Sequence, residues 1–203
     1  MTLPRGLTQF ERQVTAVRDV VESGRMVCID PATGATSGVG WAEYVDGVYM
    51  RGGQILTPKG ACLAVRLRWI AAKCSVLGLT GADLCVVERL RGRMVHNSLH
   101  WSAGVLVTAV AKGPILEIPI PVWKAVAEAD PAYAKGDEAD ARAMGEAVLR
   151  VVRGLPALHR APKVPRRGRA VRERADGSSG VRVPKHRAPG MVRKKPGRRG
   201  GRK

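Results

Sequence analysis

Met26-Val27-Cys28-Ile29-Asp30-Pro31 runs four apolar residues into a carboxylate and then into a proline. Consecutive apolar residues without a helical period describe a strand covered on both faces, and the proline ends it. The acid at the end of such a strand is costly to desolvate unless donors or a cation meet it. Two readings of Asp30 stand at this point. It is either a turn-capping aspartate, common where strands end, or one member of a charged site.

Working outward, Gly38 to Tyr44 forms a second strand and Gly47 to Met50 a third, joined by the tight Asp46-Gly47 turn. Ala82 to Glu88 is a fourth strand, nearly all apolar, hence central and parallel to the first. It too ends on an acid, Glu88, whose plainer reading is pairing with Arg89, Arg91 or Arg93. Ile115 to Ile118 is a fifth strand. Leu7, Phe10, Val14, Val17 and Val21 recur at three- and four-residue spacing and predict an amphipathic helix over 7–23. Thr57 and Pro58 read as the cap and first position of a helix through Leu77, which Gly78 stops. Further helices are predicted from Asn97 or Ser98 to Lys112, from Pro121 to Glu128 and from Gly136 to Val152. A hairpin of strands followed by alternating helices and strands gives an α/β chain, a mixed five-stranded sheet with helices on both faces.

The last helix carries Asp137 and Asp140, three apart and on one face. Stabilisation of the helix dipole explains Asp137 easily and Asp140 less well. Glu138 points elsewhere. Four carboxylates brought to one cleft would repel strongly, and hard divalent cations are the usual remedy. That combination points to phosphodiester chemistry. His96 and His100 have a zinc-like spacing, but no Cys or Glu near them completes a set.

Charge is unevenly placed. Residues 160–203 carry 17 Lys and Arg against Glu173 and Asp176, so +15 of the net +18 lies there and residues 1–159 are near neutral. Broken by Pro and Gly, that tail cannot bury a core and reads as a disordered polyanion-binding segment, with Arg166, Arg167 and Arg169 near its start. A solvated tail that only aids solubility is the plainer alternative. The chain divides into an N-terminal helix (1–24), a central domain (25–155) and the basic tail (156–203). Cys28, Cys62, Cys74 and Cys85 show no metal-binding pairing and read as reduced core residues of a cytoplasmic protein. No signal peptide or membrane span is visible.

Val27-Cys28-Ile29-Asp30-Pro31 with Gly40-Trp41-Ala42 resembles the opening hairpin of RuvC-type Holliday-junction resolvases, members of the RNase H-like nuclease superfamily. Val86-Val87-Glu88 with the helix from Asn97 is similar to the family's second acidic strand and following helix. Ile115-Leu116-Glu117-Ile118-Pro119 followed by Val122-Trp123-Lys124-Ala125-Val126 resembles its fifth strand and Lys-bearing segment. Asp137-Glu138-Ala139-Asp140-Ala141 looks like its terminal D-x-x-D-A motif. The match covers about residues 25–150, and phage-encoded versions resemble it most.

The resemblance implies an RNase H-like fold and two Mg²⁺ ions, with Mn²⁺ as a substitute, held by Asp30, Glu88, Asp137 and Asp140. Lys124 or Lys135 would offset charge on the scissile phosphate, and Arg89, Arg91 and Arg93 would grip neighbouring phosphates. It implies hydrolysis of branched DNA by a homodimer in recombination and repair, with no small-molecule cofactor and no membrane. The dimer would use the Asn97 helix or the N-terminal helix, and the setting would be the nucleoid, or the host cytoplasm for a phage protein. The competing reading is a nucleic-acid-binding protein that keeps the fold without the metal site. A ribosome-associated basic protein would explain the tail but not the acids.

Overall fold

The computed structural model describes residues 8–31, 38–90 and 97–159. Its elements in chain order are α1 (Gln9–Ala16), α2 (Arg18–Ser23), β1 (Arg25–Asp30), β2 (Val39–Val45), β3 (Val48–Ile55), α3 (Leu63–Val76), β4 (Leu84–Glu88), α4 (Asn97–Val110), β5 (Ile115–Ile118), α5 (Ile120–Ala129) and α6 (Asp137–Val152). The sheet order is β3-β2-β1-β4-β5. β1, β2 and β3 are antiparallel neighbours, whereas β1, β4 and β5 run parallel. That is the RNase H-like arrangement the motifs implied.

Strand periodicity divides the core. Met26, Cys28, Leu84, Val86, Leu116 and Ile118 face one side, where Phe10, Val14, Val21, Trp123, Met144 and Val148 of the helices meet them. Val27, Ile29, Trp41 and Cys85 face the other side, against Ile70 and Cys74 of α3 and Leu106 and Val110 of α4. Both faces of the central strands are therefore covered, which is why β1 and β4 read as unbroken apolar runs. The Asp46-Gly47 turn has φ of 51° and 73°, as a two-residue hairpin of this hand demands.

Four sequence expectations shift. The third strand, read over 47–50, runs on to Ile55. The helix predicted over 7–23 is two helices, broken where Val17 leaves helical geometry at φ −115° and ψ 16°. The break lets Phe10, Val14 and Val21 all reach the core. The helix predicted from Thr57 begins instead at Leu63, with Cys62 in the cap position. Gly60 turns the chain with φ 71° just before it, and Thr57 is buried upstream. Cys62 is exposed, unlike the other three cysteines, and all four are free thiols.

α1 belongs to the same core as the sheet. Thr8 and Glu11 form a reciprocal cap, with the Glu11 amide donating to Thr8 Oγ1 at 3.2 Å and the Thr8 amide to Glu11 Oε2 at 2.7 Å. The other Glu11 oxygen accepts the Ala157 amide at 2.9 Å, which fastens the segment after α6 onto α1. These bonds, that to Ala157 foremost, hold the Glu11 carboxyl below its usual range. On the far side, Glu43 is buried between the Arg25 and Arg51 guanidinium groups, which also bind carbonyls at the end of α3. No helix among the described residues is long and apolar enough to cross a membrane.

Candidate active site

The strand period brings the two strand-end acids together. Met26, Cys28 and Asp30 share one face of β1, and Leu84, Val86 and Glu88 share the same face of β4. The parallel register pairs Met26 with Leu84 and Cys28 with Val86, so one more step along that face puts Asp30 beside Glu88. Both lie at the carboxyl ends of parallel strands, where open α/β sheets place their ligand sites.

Glycine brings the third acid in. Gly40 is the antiparallel partner of Asp30, and a Cβ on it would fall 1.8 Å from the Asp137 carbonyl oxygen. The first turn of α6 thus rests directly on the β2 backbone, next to Asp30, as only a residue without a side chain allows. Farther along, a Cβ on Gly145 would meet the Tyr44 ring at 2.2 Å, so α6 packs against that side chain there.

The electrostatics report the same convergence. Burial, then the charges of Glu88, Asp140 and Asp137, push the Asp30 carboxyl up to about 8, against the pull of Lys124. Glu88 is raised as well, by burial and by Asp140, and Lys124 again opposes the shift. Asp30 therefore feels the other three predicted carboxylates and the predicted lysine. The Lys124 ammonium lies 5.1 Å from the centroid of the buried Trp123 ring, which fixes its stem on α5.

Two of the acids are hydrogen-bonded to protein donors that the sequence motifs do not mark. Asp137 Oδ2 accepts the Gly38 amide at 3.0 Å and the side-chain amide of Gln54 on β3. Asp140 Oδ1 accepts the hydroxyl of Tyr133. Neither Gln54 nor Tyr133 carries a local pattern that would single it out; they arrive from an edge strand and from the α5–α6 connection. Beside them opens a cleft of about 820 Å³, lined among others by Gln54, Tyr133, Lys135, Asp137, Arg142, Arg150 and Arg153. Glu138 points at Tyr49 and away from Asp30, as the helical spacing predicted.

Do these residues suit a pair of hard cations? The donors are all carboxylate oxygens, the centre is partly desolvated, and its negative charge exceeds what Lys124 offsets, so the chemistry fits Mg²⁺ or Mn²⁺. Among the described residues, however, no three His, Cys, Asp or Glu side chains stand close enough together to hold a metal ion. Asp137 and Asp140 are each bonded to neutral donors, Gly38 and Gln54 for the one and Tyr133 for the other.

The expected phosphate grips fare differently. Arg89, predicted to contact DNA, is instead engaged within the fold: its Nε donates to Glu117 at 3.2 Å and its terminal nitrogen to Gln13 at 3.4 Å. That ties β4 to β5 and α1 and leaves the side chain largely covered. Lys135 is exposed at the cleft. Arg91, Arg93, Arg166, Arg167, Arg169 and His96 lie outside the described residues. Trp123 packs in the core, whereas Trp101 is 65% exposed on α4.

Fold and site together define a domain of RNase H-like sheet topology with acids at the carboxyl ends of its parallel strands. Among solved structures, the chain is similar to Thermus thermophilus RuvC in complex with Holliday junction substrate, at 17% identity and a TM-score of 0.48, over 66% of this chain and 98% of that one. It is also similar to the nuclease domain of the large terminase subunit of bacterial virus Sf6, at 13% identity and a TM-score of 0.29, over 56% of this chain and 46% of that one. No protein-family model and no curated protein matches the chain.

Proposed function

We propose that this chain is a Mg²⁺-dependent endonuclease that cuts branched DNA, four-way junctions foremost, with Asp30, Glu88, Asp137 and Asp140 as the metal-holding residues. The observation that carries the reading is the position of Asp30, a covered carboxylate on a central strand that feels three other acids and a single opposing lysine. Such a centre costs stability, and a cation site is the chemistry that repays it. When bound, the ions supply Lewis acidity, lowering the pKa of a water and offsetting charge on the leaving 3′ oxygen.

The chain's own groups do the rest. Asp30 and Glu88 present oxygens from a rigid sheet, which fixes the site better than a loop would. Lys124, whose ammonium stands over the Trp123 ring, would offset charge on the scissile phosphate. Lys135 and Arg153 give the neighbouring cleft cationic side chains for a DNA strand.

The competing reading, a DNA binder without chemistry, draws on the absence of a preformed metal cluster among the described residues. A Mg²⁺-supplemented cleavage assay on junction, flap and duplex DNA, with Asp30→Asn as control, separates them. Cleavage that survives the substitution sinks the assignment.

Symmetric resolution of a four-way junction takes two such sites, so the reading carries a homodimer. α4 offers a face for it, with Trp101 65% exposed beside a groove of about 680 Å³ that Ala71 of α3 also lines. Sedimentation velocity of the full chain is expected to give a dimer that Trp101→Glu dissociates; an unaltered mass for that variant would remove α4 from the interface.

The basic tail would add affinity without sequence preference. Removing residues 160–203 is expected to flatten the plot of log affinity against log salt, because every phosphate the protein no longer neutralises takes about 0.9 off its slope. Binding isotherms at several salt concentrations measure this, and an unchanged slope would deny the tail its role.

A further inference from the structure

Resting on that metal-site reading, we propose that Tyr133 is a positioning residue for the fourth carboxylate: its hydroxyl fixes Asp140 so that one carboxylate oxygen is left for a divalent cation. The phenol donates to Asp140 Oδ1, which leaves the other carboxylate oxygen for an ion. Asp140 is the α6 acid whose charge bears on both Asp30 and Glu88, whereas that of Asp137 bears on Asp30. The residue that aims Asp140 therefore sets how completely the site closes.

Tyr133 is itself held in place. Its ring packs against the core cluster under α6. Asp130 fixes the backbone leading to it, with its side chain accepting the Ala132 amide at 2.9 Å and its carbonyl accepting the Tyr133 amide at 3.1 Å. Pro131 stiffens the same turn. A hydroxyl delivered by a closed turn and a packed ring loses little freedom when it bonds. Without it, Asp140 faces the like charge of Glu88 and is free to swing toward water. Partners that orient a ligand in this way are worth about 10- to 100-fold in metal affinity.

The test reads Mn²⁺ binding to the full chain by electron paramagnetic resonance, with no DNA and no turnover. Five proteins are compared: the parent, Tyr133→Phe, Asp140→Asn, their double variant and Asp30→Asn. Tyr133→Phe keeps the ring and is expected to melt like the parent in EDTA, yet to bind Mn²⁺ about 10- to 100-fold more weakly. In the Asp140→Asn background the same change is expected to add nothing, because its effect travels through Asp140. Equal affinities for the parent and Tyr133→Phe overturn the proposal, as does an equal loss in both backgrounds. If the parent binds no Mn²⁺, or binds it regardless of Asp30→Asn, the metal-site reading falls and Tyr133 with it.

Discussion

Asp30→Asn is expected to abolish cleavage of junction DNA and, in the same molecule, to make the metal-free protein more stable. Both effects have one cause. Asp30 is held where burial and three neighbouring acids disfavour its charge, so replacing the carboxylate by a neutral amide of the same shape removes that cost. The same replacement removes the central ligand of the proposed ion pair. Metal stabilisation of the developing charge is worth several kcal/mol, so the loss of rate is expected to be roughly a thousand-fold or more.

The melting temperature in EDTA at pH 8.5 should rise, by about 2–4 °C for each kcal/mol gained. Added Mg²⁺ should then raise the melting temperature of the parent and leave that of the variant unmoved. Gel assays of junction cleavage and thermal scans with and without Mg²⁺ check the two halves. A variant that loses activity and also loses stability would recast Asp30 as a structural residue. This trade of stability for function is the pattern expected of a site rather than of a turn cap.

Asp30 and Glu88 were legible in sequence because strand periodicity is two. Four apolar residues before each acid fix which face it takes, and parallel pairing does the rest. Asp137 and Asp140 were legible because three residues along a helix return to one face. Their approach to Asp30 depends on Gly40, whose significance appears only when α6 is seen lying on it.

What sequence could not offer is long-range company. Tyr133 and Gln54 lie in segments without periodicity, and folding alone brings them to the acids. Arg89 shows the same limit. Its position one residue beyond Glu88 suggested the cleft, but past the end of β4 its side chain reaches Glu117 on β5 and Gln13 on α1, partners no local pattern announces. The start of α3 was misplaced because Thr57-Pro58 is a sound capping signal locally, while Gly60 redirects the chain before the helix begins.

Stability in the absence of metal is expected to fall as pH rises from about 4 to about 8, and Mg²⁺ is expected to reverse that fall. The folded state keeps a proton on Asp30 up to about 8, whereas an unfolded aspartate releases it near 4. Between those limits the folded protein binds more protons than the unfolded one, so stability declines with pH, by up to about 1.4 kcal/mol for each unit crossed. Glu88, raised by burial and by Asp140, adds in the same direction. Glu11 and Glu43 act oppositely, since their pKa values are lowered; what they contribute is present above the ordinary glutamate range and is lost only in stronger acid. The metal-free protein should therefore be most stable near pH 5 and weaker at 8, a profile that Asp30→Asn flattens.

A cation must displace that proton to bind, so its apparent affinity should climb about tenfold per pH unit below 8 and level off above. Calorimetric titration with Mg²⁺ in two buffers of different ionisation enthalpy at pH 7 should report the release of about one proton per protein. An affinity that does not change between pH 6 and 8, with no proton released, would mean that the ion binds elsewhere and that Asp30 is not its ligand.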